Sequence, residues 1–409
     1  MNATASSIEK PLRLAPALAS LVVLRFAMDA SFRAPLPFIT FIAAAFGADP
    51  ASAGWLAVAL SAAGLFAPFI GVAEGHLGRR TVVMLSCGTF ITACLLLPFA
   101  PAFSVTLALF FVLGISKALF TPQVQAFIGD VVPYEKRGTA IGIVELSWAL
   151  SFIIGAPLFG FMVARVAWWA PFVLMGIVAF VGLLLTLRYA ITKNTALIGA
   201  TEQLDGSAAR AVLRHRPAIL FLVFGALISF AHQLMILSYA PYMIQTFGMT
   251  PVQLGLASIV LGVADVIAEL LTIALVDRVG KRRAVLVSTA LYIVSLGLVI
   301  VWAGALAPLL AGLFLVSLTF EFALVASLPV ASELVPPARA TMMGFVTFVH
   351  SFGRIIASLI ALPLFALGQI TLVMAVALIA VVLSFVAFLP VRVSVYNPKG
   401  LAAESKLNA

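Results

Sequence analysis

Charge is scarce in this sequence: Asp, Glu, Lys and Arg make up 10% of its 409 residues, against about 25% in soluble globular domains. With 63% of the side chains hydrophobic, the chain cannot present a water-compatible surface, and a water-soluble globular protein is excluded. Cysteine is almost absent. Cys87 and Cys94 stand seven residues apart in one apolar segment, so they read as packed thiols rather than as a disulfide or a metal pair. Also missing are a glycine-rich nucleotide loop, a metal-ligand cluster of the usual spacing and a nucleophile-and-base arrangement, so neither an enzyme nor a cofactor or metal is expected. Residues 1–14 are polar and lack the apolar core of a cleavable signal peptide, so the first spanning helix is expected to direct insertion.

What is present is a series of long apolar runs. A helix needs about 20 apolar residues to cross the hydrocarbon core of a bilayer. That window predicts an all-α polytopic membrane protein with twelve spans, at 15–40, 52–73, 82–101, 103–128, 139–163, 168–190, 217–245, 251–275, 284–304, 307–331, 340–366 and 369–390. The polar stretch 191–216 separates them into an N-terminal unit (1–190) and a C-terminal unit (217–409), each of six spans.

The net charge of +9 would suit an acidic partner, but the basic residues form short clusters between apolar segments rather than one patch. That distribution reads as topology, and no nucleic-acid partner is expected. Nineteen of the 24 Lys and Arg residues fall on one side of the twelve-span scheme. By the positive-inside rule, both termini and the linker are expected in the cytoplasm, with the chain a multi-pass protein of the plasma (inner) membrane.

The two units repeat each other. Gly78, Arg79 and Arg80 return as Gly280, Lys281 and Arg282, and Asp130, Val131, Val132, Pro133, Arg137, Thr139 and Gly142 return as Glu333, Leu334, Val335, Pro336, Arg339, Thr341 and Gly344. Such internal repeats are a common construction in secondary transporters.

Together these residues resemble the major facilitator superfamily over nearly the full length. The resemblance implies two six-helix bundles, a monomer that works by alternating access, and a loop signature that acts as a gate. That signature stands after span 8 as Asp277, Arg278, Gly280, Lys281 and Arg282. After span 2 it is degenerate: Gly71, Gly78, Arg79 and Arg80 remain, Gly75 occupies the aspartate position, and Glu74 is the expected substitute. In span 5, Gly155, Ala156, Pro157, Leu158, Phe159 and Gly160 resemble the Gly-Pro motif associated with the exporters and drug/proton antiporters of that superfamily. Close approach at glycine and a proline bend are the physical reasons for it. The arginine usual in span 4 of such proteins is absent; Phe111 stands near its place, and Lys117 lies about two turns on.

Eleven ionisable side chains lie within the apolar runs: Arg25, Asp29, Arg33, Lys117, Glu145, His232, Asp265, Glu269, Glu321, His350 and Arg354. Spans 3, 6, 9 and 12 carry none. An ionisable group in hydrocarbon must face the bundle interior or an aqueous path, so the charged spans are expected to line the path and the others to face lipid. Arg25, Asp29 and Arg33 are four apart and form one stripe. Asp29 is expected near mid-depth, and Arg33 is expected close enough to the outer surface to snorkel. Arg25 and Glu145 read either as a structural ion pair or as functional groups; Lys117 and Asp29 read likewise. Asp265 and Glu269 would repel if both were ionised, so one of them is expected to hold a proton unless Arg354 or another cation neutralises it.

These features predict a proton-coupled secondary transporter that exports an amphipathic, partly anionic organic solute. Arg25, Lys117, His232, Tyr239 and Arg354 are the expected substrate contacts. Asp29, Asp265, Glu269 and Glu321 are the expected proton-linked acids, with Arg354 a partner for Glu321. Glu145, Glu74, Arg79, Asp277, Arg278, Lys281, Gly155 and Pro157 are expected to serve structure and gating. Proton-driven import of an organic anion, a lysolipid carrier and a non-transporting membrane sensor are the alternative readings.

Overall fold

The computed structural model describes residues 14–68, 78–132, 134–189 and 206–392. Among them there are helices and no strands, as a hydrocarbon environment requires, because only internal hydrogen bonding satisfies the backbone there. Ten helices are long and apolar enough to cross a membrane. One of them, Pro336–Phe388, accounts for two spans, and the shorter apolar helix Pro50–Phe66 supplies another, which gives twelve.

Span 1 runs as Leu14–Arg33 and continues past Pro35 through a 3-10 turn, Leu36–Phe38, into Ile39–Ala44. Span 2 comprises Pro50–Ala53, Gly54–Ala62 and Ala63–Phe66. Spans 3, 4 and 6 are Arg79–Leu96, Phe103–Val131 and Ala170–Tyr189. Span 5 is Tyr134–Leu150 followed, across one π turn at Ser151–Gly155, by Ala156–Arg165. Pro157 cannot donate a backbone hydrogen bond, and the widened turn just ahead of it is the usual accommodation. A short linker helix, Gly206–Arg214, precedes span 7, Arg216–Phe247. Span 7 stops at Gly248, which adopts the left-handed conformation at φ 63°, and span 8, Pro251–Val279, starts at once from a Thr250–Gln253 capping box. Spans 9 and 10 are Lys281–Trp302 and Leu306–Leu334.

The break expected between spans 11 and 12 is not a loop. Helix runs from Arg339 to Phe388, and the chain reverses at Gly368 and Gln369, whose backbone leaves helical geometry. Gln369 is the one non-glycine residue with positive φ among the described residues.

Within the N-terminal half, span 1 packs on spans 4, 5 and 6; within the C-terminal half, span 7 packs mainly on the helix that forms spans 11 and 12. Across the halves, span 2 meets span 11 and span 5 meets span 8, while the turn Leu36–Phe38 of span 1 touches spans 7 and 8. Small residues permit the 5–8 contact. A Cβ on Gly262 would lie 2.8 Å from the Ala149 carbonyl oxygen, and one on Gly255 would lie 2.9 Å from Cα of Pro157. Gly255, Gly262 and Glu269 are seven apart, so the face that glycine brings against span 5 also carries a carboxylate.

The twelve-span order puts the start of span 1 and the linker helix on one face, called here the linker face. The opposite, far face is closed between the halves: a Cβ on Gly54 of span 2 would lie 2.2 Å from the Ser358 carbonyl oxygen of span 11, and one on Gly160 of span 5 would lie 2.3 Å from that of Pro251 in span 8. Phe38, Ile39, Met235 and Met243, in the far-face halves of spans 1 and 7, are buried.

Candidate functional site

All three charged residues of span 1 are buried, and each finds a partner on another span. Arg25 holds Glu145 of span 5 with both terminal nitrogens, Nη1 to Oε1 at 2.9 Å and Nη2 to Oε2, the paired geometry that a guanidinium and a carboxylate favour. Its Nε lies 3.3 Å from Oδ2 of Asp29, one turn away. Asp29 has no exposed surface and is saturated: Lys117 Nζ of span 4 bonds Oδ1, and the Ser147 hydroxyl of span 5 donates to Oδ2 at 2.6 Å. Two cations and two carboxylates thus close a network inside the N-terminal half. The pairings Arg25–Glu145 and Lys117–Asp29 are the structural alternatives that the sequence left open.

Arg33 departs from expectation. It does not snorkel; it is buried, and Nη2 donates to Oδ2 of Asp265 in span 8 at 2.8 Å. Nη1 donates to the Trp148 carbonyl oxygen at 2.9 Å, and the guanidinium carbon lies 4.1 Å from the Trp148 ring centroid and 4.2 Å from that of Phe152. The reason is that span 1 outruns its expected end at residue 40. Its continuation to Ala44 carries the far surface beyond the arginine, leaving that side chain at depth.

The other expected residues fall in the C-terminal half. Glu321 is buried and Glu269 half-buried, and neither has an ion-pair or hydrogen-bond partner among the described residues. Arg354 is not an ion-pair partner of Glu321, which corrects the expected Glu321–Arg354 pair. The guanidinium of Arg354 turns along its own helix, donating from Nη2 to the Ser351 hydroxyl at 3.2 Å, and its buried Nε has no partner. His232 stacks on Phe320, with centroids 3.7 Å apart and planes 4° apart, and its Nδ1 is buried without a partner. His350 is bonded through Nδ1 to Ser229 at 2.5 Å. Tyr239 is engaged in packing: its hydroxyl is 2.9 Å from Ser258 Oγ, and the residue is 1% exposed.

The residues expected to gate divide between the loops and span 5. Lys281 Nζ bonds Glu333 Oε1 at 2.5 Å, and Arg282 Nε donates to the Val391 carbonyl oxygen at 2.7 Å, so this corner ties the start of span 9 to the ends of spans 10 and 12. Asp277 and Arg278 are exposed beside it. Glu74 and the side chain of Arg79 lie outside what is described. Gly155 lets span 5 approach span 1, since a Cβ there would sit 3.2 Å from that of Ala30.

This arrangement, twelve spans in two halves with ionisable residues buried within each half and one ion pair between them among the described residues, agrees with the comparison by sequence. The profile of the Major Facilitator Superfamily matches residues 21–242 and 222–406. The chain belongs to the major facilitator superfamily.

Its relatives in that superfamily are distant. The uncharacterized MFS-type transporter YceJ of Bacillus subtilis is 33% identical over 134 residues, 32% of this chain and 34% of the relative. The niacin transporter NiaP of Acinetobacter baylyi is 26% identical over 131 residues, 32% of this chain and 30% of its own. A probable sugar efflux transporter of Mannheimia succiniciproducens is 25% identical over 222 residues, 54% of each chain. The matched stretches therefore span between about a third and about half of these relatives. In three dimensions the chain is similar to the human organic anion transporter MFSD10 (TETRAN), with a TM-score of 0.68 at 17% identity, covering 92% of this chain and 99% of that one. That likeness shows the fold.

Sequence reasoning missed the parts of four residues in the site: Arg33 as a buried partner, Ser147 as a donor to Asp29, and the Trp148 and Phe152 rings around Arg33. For Arg33 a signal existed, because its spacing from Arg25 and Asp29 puts it on the same inward stripe. For the others, only the fold brings them near.

Proposed function

We propose that this superfamily member is a proton-coupled secondary transporter that exports an amphipathic organic solute bearing an anionic group, as a monomer of the cytoplasmic membrane. The observation that carries the reading is the pair Glu269 and Glu321. Among the described residues at membrane depth, Asp29, Glu145 and Asp265 are matched by Arg25, Lys117 and Arg33. Glu269 and Glu321 are the two carboxyl groups able to take up and release a proton without breaking an ion pair. A carboxylate so placed is costly to leave charged and unpartnered, and it is chemically suited to coupling.

Arg354 is the cation left for the solute. Its unpartnered Nε and one free terminal nitrogen suit a carboxylate or phosphate held by charge-assisted hydrogen bonds. Arg25 and Lys117 are committed to internal partners and recede as anion contacts, as Tyr239 does through Ser258. The amphipathic character expected of the solute is supported by the His232–Phe320 stack in the same half. Export is supported by the Gly155–Gly160 motif and by the relative named a sugar efflux transporter. The niacin transporter among the relatives favours a second reading, uptake of a small organic solute by the same site. The excess of Lys and Arg on the linker face supports cytoplasmic termini.

The test uses purified protein in proteoliposomes, with a probe chosen as the anionic amphiphile that most raises the unfolding temperature, since a bound ligand stabilises by mass action. An imposed pH gradient should drive probe flux, and its direction separates export from uptake. Glu269→Gln with Glu321→Gln should abolish the gradient-driven flux while leaving probe exchange measurable. Full gradient dependence in that double variant sinks the proton assignment.

A further inference from the structure

Arg33 and Asp265 are joined although they belong to different halves of the molecule. Their 2.8 Å contact is the one ion pair between the halves among the described residues, and both side chains are buried. It lies on the far-face side of the Arg25–Glu145 and Asp29–Lys117 network, because Arg33 follows Asp29 by one turn toward Leu36–Phe38. Beyond it the halves stay in contact, with Gly160 against Pro251 and Gly54 against Ser358. On the other side, the Glu145 side chain is 31% exposed and Glu269 is half-buried, while a Cβ on Gly344 of span 11 would lie 3.2 Å from Cα of Pro68 at the end of span 2.

We infer that the Arg33–Asp265 pair is the latch that holds the far face shut. An alternating-access carrier must part spans 1 and 5 from spans 7 and 8 on that face to admit or release solute there, and the pair lies across that parting line. The arginine stays with the N-terminal half when the halves part. The Trp148 carbonyl and the Trp148 and Phe152 rings, all from span 5, hold its guanidinium, whereas among the described residues Asp265 is its one hydrogen-bond partner from the C-terminal half.

Opening therefore leaves Asp265 without its cation, beside Glu269 on its own helix and Glu321 on span 10. An ionised Asp265 resists this on two counts: it loses its partner, and it remains near two further carboxyl groups. Neutralising Asp265, whether by a proton or by substitution, removes both obstacles. Trp148 and Phe152 act here as positioning residues, since aromatic faces hold a guanidinium in place even when its carboxylate departs. This inference rests on the alternating-access cycle and not on the coupling ion, so it can fail or stand independently of the proton assignment above.

The experiment is a distance measurement that needs no transport. Cys87 and Cys94 are replaced by alanine, and spin labels are placed at Ala45→Cys and Thr246→Cys, two exposed far-face positions, one on each half. Double electron–electron resonance in lipid nanodiscs should show a dominant short distance in the parent. Asp265→Asn, which keeps the side-chain shape, and Arg33→Met should each raise the long-distance population roughly tenfold. Arg165→Gln, an exposed far-face charge outside the pair, should leave the distribution as in the parent. An unchanged distribution in both folded latch variants overturns the inference, and so does an equal shift in Arg165→Gln, which would make opening a response to any lost charge.

Discussion

Lys117 and Asp29, 88 residues apart in sequence, are bonded to each other in the interior of the N-terminal half, and the second oxygen of the same carboxylate accepts from Ser147. A charge removed from such a setting leaves its partner desolvated and alone. Asp29→Asn is therefore expected to destabilise the protein by about 3–5 kcal/mol, and Asp29→Asn with Lys117→Met to recover at least half of that loss. Equilibrium unfolding in detergent measures both. Equal losses in the single and double variants would return Lys117 to the list of solute contacts.

The 5–8 contact depends on the absence of a side chain at Gly262. In Gly262→Ala, the added carbon would meet Ile153 Cγ1 at 2.7 Å and the Ala149 carbonyl oxygen at 2.8 Å, and backbone cannot yield as a flexible side chain does. A loss of about 1–3 kcal/mol is expected, with slower flux. Gly297→Ala in span 9 is the control, because nothing lies within 4 Å of its new carbon. A melting temperature lowered equally by both would show that glycine flexibility, not close approach, matters at Gly262.

Arg354 and Glu321 form no ion pair, so their removal should be independent. The stability losses of Arg354→Ala and Glu321→Ala are expected to add in the double variant to within about 0.5 kcal/mol. Arg354→Lys should keep the fold yet lose most of the thermal stabilisation given by a carboxylate-bearing probe, since an ammonium cannot reproduce the planar fork. Undiminished stabilisation in Arg354→Lys would move the anion site elsewhere.

The number of spans, their order and the sorting of charges away from spans 3, 6, 9 and 12 were legible because hydrophobic length and the cost of charge in lipid act locally. The inward stripe of span 1 was legible for the same reason, from spacing alone. Partnership was not. Nothing local to Arg33 reveals that Asp265, 232 residues later, will face it. Its depth was misjudged because span 1 was expected to end at residue 40, seven residues beyond Arg33, whereas the chain passes Pro35 and Pro37 through a 3-10 turn and goes on as helix to Ala44. Arg354 and Glu321 show the converse: similar depth on two helices suggested a pair, but depth says nothing of the direction in which each side chain leaves its helix.

The closed network of Arg25, Lys117, Asp29 and Glu145 also bears on how the carrier feels voltage. Two positive and two negative groups cancel there, so the net charge that this half carries as it rocks is that of Arg33. Asp265, its partner, moves with the C-terminal half, as do Glu269, Glu321 and Arg354, which have no ion pair among the described residues. A membrane potential of 100 mV does about 2.3 kcal/mol of work on each elementary charge carried across the whole of it. In the proposed cycle the electrical sensitivity therefore rests on the separation of Arg33 from Asp265 and on the protonation of Glu269 and Glu321, not on the Arg25, Lys117, Asp29 and Glu145 network.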